Sequence, residues 1–225
     1  MTDSSDGSDD ADGGPPPQDP VTGESVTLRV GDSEYRGRLN APEGGSDRGI
    51  LVVPGAGHGP FGTVFATFAD AAEARGVTVA RFETWTDGDD LQAKTLDEHR
   101  ADIEAGIEFL RSQGCESVSL VAKSFGGGLA LRCGPLPVER TVLWAPAVSF
   151  EAGENFPAIG ADELAELDLP VRILQGDEDG VVSVENARQV AKHLPQGELV
   201  VFAGEDHSFM HDEARVVGQT LSFCA

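Results

Sequence analysis

Apolar positions follow two alternating patterns along this chain: short unbroken runs, and longer stretches where they return every three or four residues. Ile50-Leu51-Val52-Val53, Val77 to Phe82, Val118 to Val121, Thr141 to Trp144, Val171 to Leu174 and Leu199 to Phe202 are of the first kind. Such runs mark strands buried on both faces. Phe61, Val64, Phe65, Phe68, Ala69 and Ala72 share one face of a predicted helix that stops near Gly76. Ile103, Ile107 and Leu110 do the same within a helix expected from about Leu91 to Ser112, and Ala187, Val190, Ala191 and Leu194 within Val184 to Leu194. Ala214, Val217, Leu221 and Cys224 predict a closing helix. Ahead of these, Val26 to Val30 and Tyr35 to Leu39 flank Gly31-Asp32 as a hairpin would. Strands alternating with helices at this spacing predict the α/β class, with a mostly parallel central sheet covered by helices on both faces. Residues 1–20, rich in Asp, Ser, Gly and Pro, predict a disordered acidic tail ahead of one domain over residues 21–225.

The turns between these elements carry the candidate chemistry. After Val118 to Val121 the chain reads Ala122-Lys123-Ser124-Phe125-Gly126-Gly127-Gly128 and enters a small-residue helix. A serine at a sharp strand-to-helix turn projects its hydroxyl clear of the sheet, and small residues two before and two after it let the backbone turn. The ordinary alternative is a serine that caps a helix. Gln175-Gly176-Asp177-Glu178-Asp179 follows one later strand, and Glu205-Asp206-His207 follows another. A serine hydroxyl becomes a nucleophile when a base takes its proton and a carboxylate fixes the tautomer of that base. Ser124, an acid and His207 supply those parts. His99 and His193 lie in helical segments, and His211 falls four residues beyond His207 in an expected helix, on its exposed side.

Ala122-Lys123-Ser124-Phe125-Gly126 resembles the G-x-S-x-G nucleophile elbow of the α/β-hydrolase superfamily, with alanine for the first glycine. The order serine, acid, histidine is also that superfamily's. The resemblance covers roughly Val26 to Ala225. It is nearest to the small dienelactone-hydrolase-like members and the related KANL3/Tex30-type group, through Val52-Val53-Pro54-Gly55-Ala56-Gly57, Val79-Ala80-Arg81-Phe82 and the elbow itself. It implies an α/β-hydrolase fold and a carboxylic-ester type of hydrolase acting through Ser124, His207 and Asp179. The segment Gly176 to Val182 resembles the pattern G-x-x-D-x-x-V, which selects Asp179 over Asp177. Asp177 is expected to bond nearby turn amides, and the Asp206 side chain to point elsewhere. The resemblance implies an oxyanion hole from the backbone N–H groups of Ala56 and Phe125. Two departures matter. Pro54 stands where many relatives have a histidine, which leaves a backbone oxyanion loop intact. Ser124 stands where dienelactone hydrolases proper have cysteine, which argues against dienelactone as substrate.

Substrate contacts are expected from His58 on the loop after Val53, and from Arg81 and Glu83 at the end of the next strand, the sheet edge where open α/β folds bind ligands. Trp85 and Lys123 are further candidates. About 26 residues separate Trp144 from Val171. That is too few for an independent lid, so the expected cap is minimal, at most a covering loop from Pro146 to Ile159, and the expected substrate is a small soluble ester. Loop residues Pro54 to Gly59 lack the G-K-[ST] ending of a nucleotide-binding loop. The chemistry requires no metal or organic cofactor. Two other readings use the same residues: acyl transfer to an acceptor other than water, and a noncatalytic interaction protein on a hydrolase scaffold.

Charge sets the environment. The net charge is −23. The first 24 residues hold seven acids and no base, so the remainder still has 32 acids against 16 bases, of which only three are Lys. This acidity resembles proteins of salt-accumulating halophiles, in which screening relieves self-repulsion. It disfavours nucleic acid as a partner, which calls for basic patches. Cys115, Cys133 and Cys224 form no CxxC pair and are expected to be reduced, packed thiols. With no signal-peptide pattern and no membrane-length apolar run, a cytoplasmic location is expected. Nothing in the sequence sets the oligomeric state.

Overall fold

The apolar runs form one eight-stranded sheet in the computed structural model, which describes residues 22–57, 59–150 and 158–224. The strands are β1 (Glu24–Val30), β2 (Ser33–Asn40), β3 (Arg48–Val53), β4 (Thr78–Phe82), β5 (Ser117–Lys123), β6 (Arg140–Trp144), β7 (Val171–Gly176) and β8 (Gly197–Phe202). Their order is β1-β2-β4-β3-β5-β6-β7-β8. β1 and β2 form the expected antiparallel hairpin, β2 pairs antiparallel with β4, and every pair from β4 to β8 is parallel.

Side-chain alternation divides the core in two. Leu51, Val53, Ala80, Phe82, Leu120, Leu143 and Ile173 face one side, where they pack under α3 (Leu96–Ser112), α4 (Phe125–Arg132) and α6 (Val184–His193). Ile50, Val52, Val79, Val121, Val142 and Leu174 face the other, under α1 (Thr63–Glu73) and α7 (Glu213–Cys224). Neighbouring residues of one strand thus feed opposite layers, which is why these runs are apolar throughout. The three cysteines are buried and unpaired. Burial pushes the Cys133 thiol up to about 11 and the Cys224 thiol up to about 12, which keeps both protonated.

Two elements differ from expectation. The helix expected from Leu91 to Ser112 is broken into α2 (Gly88–Ala93) and α3, because Lys94 is extended and Thr95 starts a new helix with a capping box to Glu98. Lys94 turns inward at the break to bond Tyr35 and pair with Asp102 at 2.6 Å. A short α5 (Ala161–Ala165) lies between β6 and β7. The expected tail falls outside the described residues, as does much of the expected covering loop. Among the described residues no helix is long and apolar enough to cross a membrane.

Candidate active site

The carboxyl ends of β5, β7 and β8 bring Ser124, Asp179 and His207 together. Ser124 sits between β5 and α4 at φ 51° and ψ −116°, a region costly for a residue with a Cβ. Such strain is of order 1–3 kcal/mol and persists only where its surroundings enforce it. Here the Ser124 N–H donates to the Trp144 carbonyl at 2.8 Å, and its own carbonyl accepts from Gly128 and Ala147. The turn is tied to β6 as well as to its own helix.

Ser124 Oγ lies 3.0 Å from His207 Nε2, and His207 Nδ1 lies 2.8 Å from Asp179 Oδ2. An ionised Asp179 imposes the tautomer in which Nδ1–H donates to it, leaving Nε2 to accept from the serine. The Asp179 side chain is fully buried and that of His207 about a quarter exposed. Burial by itself opposes ionisation of Asp179. The amide of Val182, the His207 imidazole and the amide of Val181 outweigh it, so the carboxyl is held below its ordinary value. Asp179 Oδ1 accepts both amides at 2.8 Å. The arrangement can carry a proton from a hydroxyl to an imidazole beside a fixed negative charge.

Two polar residues support this row. Gln175, fully buried at the end of β7, donates to Asp179 Oδ2 at 3.0 Å and to the Val182 carbonyl. Sequence reasoning missed it, although a polar residue closing an apolar strand four positions before the acid is a readable signal. Lys123 Nζ donates 2.7 Å to the His207 carbonyl and lies 5.8 Å from the Phe209 ring centroid. Burial pulls the Lys123 pKa down, against the pull of Asp179 and Asp206. A lysine pKa lower in the folded than in the unfolded chain costs stability at neutral pH. That cost fades as the pH rises through the folded value toward the ordinary 10.5. The stability of Lys123→Met minus that of wild type is therefore expected to fall between neutral pH and the alkaline range. Thermal unfolding of both proteins across that range checks it, and a constant difference would contradict it.

The other sequence candidates are placed as follows. Ala56 lines both cavities that Ser124 lines, and a Cβ added at Gly55 would come 3.3 Å from the Ser124 Cβ, so this loop abuts the elbow. Phe125 opens α4 and lines a cavity at Ser124. Trp85 is buried and braces the loop by donating from Nε1 to the Gly55 carbonyl at 3.3 Å. His58 lies outside the described residues. Among the described residues, neither Arg81 nor Glu83 lines the two cavities that contain Ser124, although a Cβ added at Gly59, a wall of the first cavity, would come 3.4 Å from Glu83 Oε1. Strand parity sends Arg81 to the Val79 side of the sheet, where it is fully buried and donates to Asn40 and Thr22. Glu83 pairs with Arg36 at the sheet's edge.

Asp177 accepts from the Gly204 amide in the loop after β8 rather than from its own turn as expected, and Asp206 accepts from the amide and hydroxyl of Ser208, so both are engaged away from the His207 ring. His99 is buried against Trp85 and Phe125. Glu205, Asp206 and His211 bring three potential metal-ligand atoms within 4.8 Å of one another among the described residues. The Glu205 carboxylate already accepts the amides of His211 and Asp212.

Residues 71–221 match the dienelactone hydrolase family. The chain belongs to that family. Its members are hydrolases, and so is this protein. Similar solved structures include Est1E from Butyrivibrio proteoclasticus, at 15% identity and TM-score 0.73, covering 88% of this chain and 96% of that one. The dienelactone hydrolase from Anabaena variabilis is 16% identical with TM-score 0.72, over 91% of this chain and 99% of its own. XC6422 from Xanthomonas campestris, described as an α/β serine hydrolase without a lid, is 21% identical with TM-score 0.70, over 92% and 95%. These likenesses place the family member in the α/β-hydrolase fold. No curated protein matches by sequence.

Proposed function

We propose that this member of the dienelactone hydrolase family is a serine esterase. Ser124 Oγ attacks the acyl carbon while His207 takes its proton. The backbone N–H groups of Ala56 and Phe125 receive the charge that develops on the carbonyl oxygen, an interaction worth about 2.7–4 kcal/mol per donor in comparable sites. Collapse expels the alcohol, protonated by His207. Water, deprotonated by the same imidazole, then releases the acid from the acyl-enzyme. The observation that carries this reading is the unbroken row from Asp179 Oδ2 through His207 to Ser124 Oγ, at 2.8 and 3.0 Å, opening on cavities large enough for a substrate.

The same proposal takes residues 21–225 as one catalytic domain and sets the chain beside the KANL3/Tex30-type group, on the strength of its Lys123-Ser124-Phe125-Gly126-Gly127 elbow. It also places the enzyme in the cytoplasm of a salt-accumulating cell. The net charge of −23 and three unpaired buried thiols support that placement. Molar salt shrinks the screening length to about 3 Å and relieves repulsion among the acids. Hydrolysis of p-nitrophenyl butyrate in molar KCl, lost together with the folded circular-dichroism signal in low-salt buffer, is the expected result. Absence of turnover from protein shown to be folded in KCl would count against the esterase reading, and full stability in low salt against the halophile one.

A further inference from the structure

Two cavities meet at Ser124. One, of about 490 Å³, is walled by Val64, Phe65, Lys123, His207 and Met210. The other, of about 590 Å³, is walled by Phe125, Val148, Val181, Val182 and Asn186. Ser124 and Ala56 line both, and His207 lines only the first.

This asymmetry orients a substrate, given the esterase reading on which it rests. After attack the former carbonyl carbon bears Ser124 Oγ, the oxyanion, the acyl substituent and the leaving oxygen. The C–O bond to the alcohol breaks, its electron pair stays on the leaving oxygen, and that oxygen takes the proton His207 received from Ser124. Proton transfer needs hydrogen-bond reach, so the leaving oxygen lies beside His207 Nε2. The oxyanion occupies the side of Ala56 and Phe125. One direction then remains for the acyl substituent, toward the cavity that His207 does not wall.

We infer that the cavity walled by Val64, Phe65 and Met210 receives the leaving-group arm, and the cavity walled by Val148, Val181 and Val182 the acyl arm. Each has the volume that binding pockets offer to groups well beyond methyl or acetyl in size. Their side-chain walls are mainly apolar. Met210, 54% exposed, and Val181, 72% exposed, are two of the three large hydrophobic residues exposed among the described residues, and one stands at each cavity. Apolar surface in that position is what a ligand would cover. In place of the small soluble ester expected from the minimal cap, the substrate class is an ester of a bulky apolar alcohol, aryl or branched alkyl, with an acyl chain longer than acetyl.

The test uses Met210→Trp and Val181→Trp, both at exposed side chains, with two ester series. One holds the acyl group at butyryl and compares 2-naphthyl with methyl esters. The other holds the alcohol at p-nitrophenol and compares octanoyl with acetyl. Met210→Trp is expected to lower the naphthyl-to-methyl ratio of kcat/KM by about tenfold, the scale of small changes in a pocket. Its octanoyl-to-acetyl ratio should stay within about twofold, as for separate sites. Val181→Trp is expected to do the converse. Exchanged effects, both variants moving the same ratio, or neither moving one, overturns the assignment of arms. Failure of the esterase reading looks different, because wild type then shows no Ser124-dependent turnover in either series, and the inference falls with it.

Discussion

Replacing Ser124 by alanine is expected to lower kcat for p-nitrophenyl butyrate by about 10⁶-fold while leaving the thermal midpoint in molar KCl unchanged or raised. The magnitude follows from removal of the group proposed to form the acyl-enzyme, and from triad residues acting as a unit. His207→Ala should cost about as much, and the double variant scarcely more than either single one. Asp179→Asn should cost less, about 10⁴-fold, since its loss leaves the serine–imidazole pair but frees the ring from the tautomer it needs. Stability need not suffer at Ser124, because the strain at φ 51° is enforced by backbone bonds to Trp144, Gly128 and Ala147 rather than by its hydroxyl. Stopped-assay kinetics and thermal unfolding on the four variants check this. A residual rate in Ser124→Ala near that of wild type would remove Ser124 from the mechanism.

The second large effect is structural. A Cβ at Gly126 would lie 2.3 Å from the Pro54 carbonyl oxygen and 2.8 Å from that of Val53. Both are backbone atoms at the end of β3, so neither can swing aside as a flexible side chain would. Gly126→Ala is therefore expected to cost about 3 kcal/mol, the upper part of the range for overpacking. It should also reduce turnover, since the loop it displaces carries Ala56. Gly218→Ala makes the control. That glycine lies inside α7, and nothing would come within 4 Å of its added methyl. Helix propensity alone should then stabilise the chain by up to about 1 kcal/mol. Denaturant unfolding of both variants measures the contrast, and equal effects would contradict the account of the elbow.

Much of this architecture was readable because each buried strand and each amphipathic helix writes its own period into the sequence. The triad candidates were readable for a related reason: Ser124, His207 and the acids after β7 each follow a strand, strand ends of a parallel sheet converge on one edge, and the resemblance of Gly176 to Val182 to the family pattern singled out Asp179 from Asp177. What escaped depended on pairings between distant segments. Arg81 sits in an otherwise apolar strand end, where the sequence does not say which layer it enters. The structure turns it toward Asn40 and Thr22, partners contributed by β2 and by the chain ahead of β1. The insertion of β4 between β2 and β3 was equally invisible, since sheet order is set by packing across the molecule. Gln175 and Lys123 gain their contacts only when the loops after β7 and β8 fold over the elbow. The break at Lys94 escaped as well, although Thr95 and Glu98 spell a capping box, because the apolar stripe runs on at either side of it.

The most direct test of the central claim is covalent: incubate folded wild type in molar KCl with a fluorophosphonate and locate the adduct by peptide mass spectrometry. The account predicts one stoichiometric adduct on Ser124, strongly slowed in His207→Ala and absent from Ser124→Ala. An unlabelled Ser124 in protein shown to be folded, or an adduct on another residue, would contradict it.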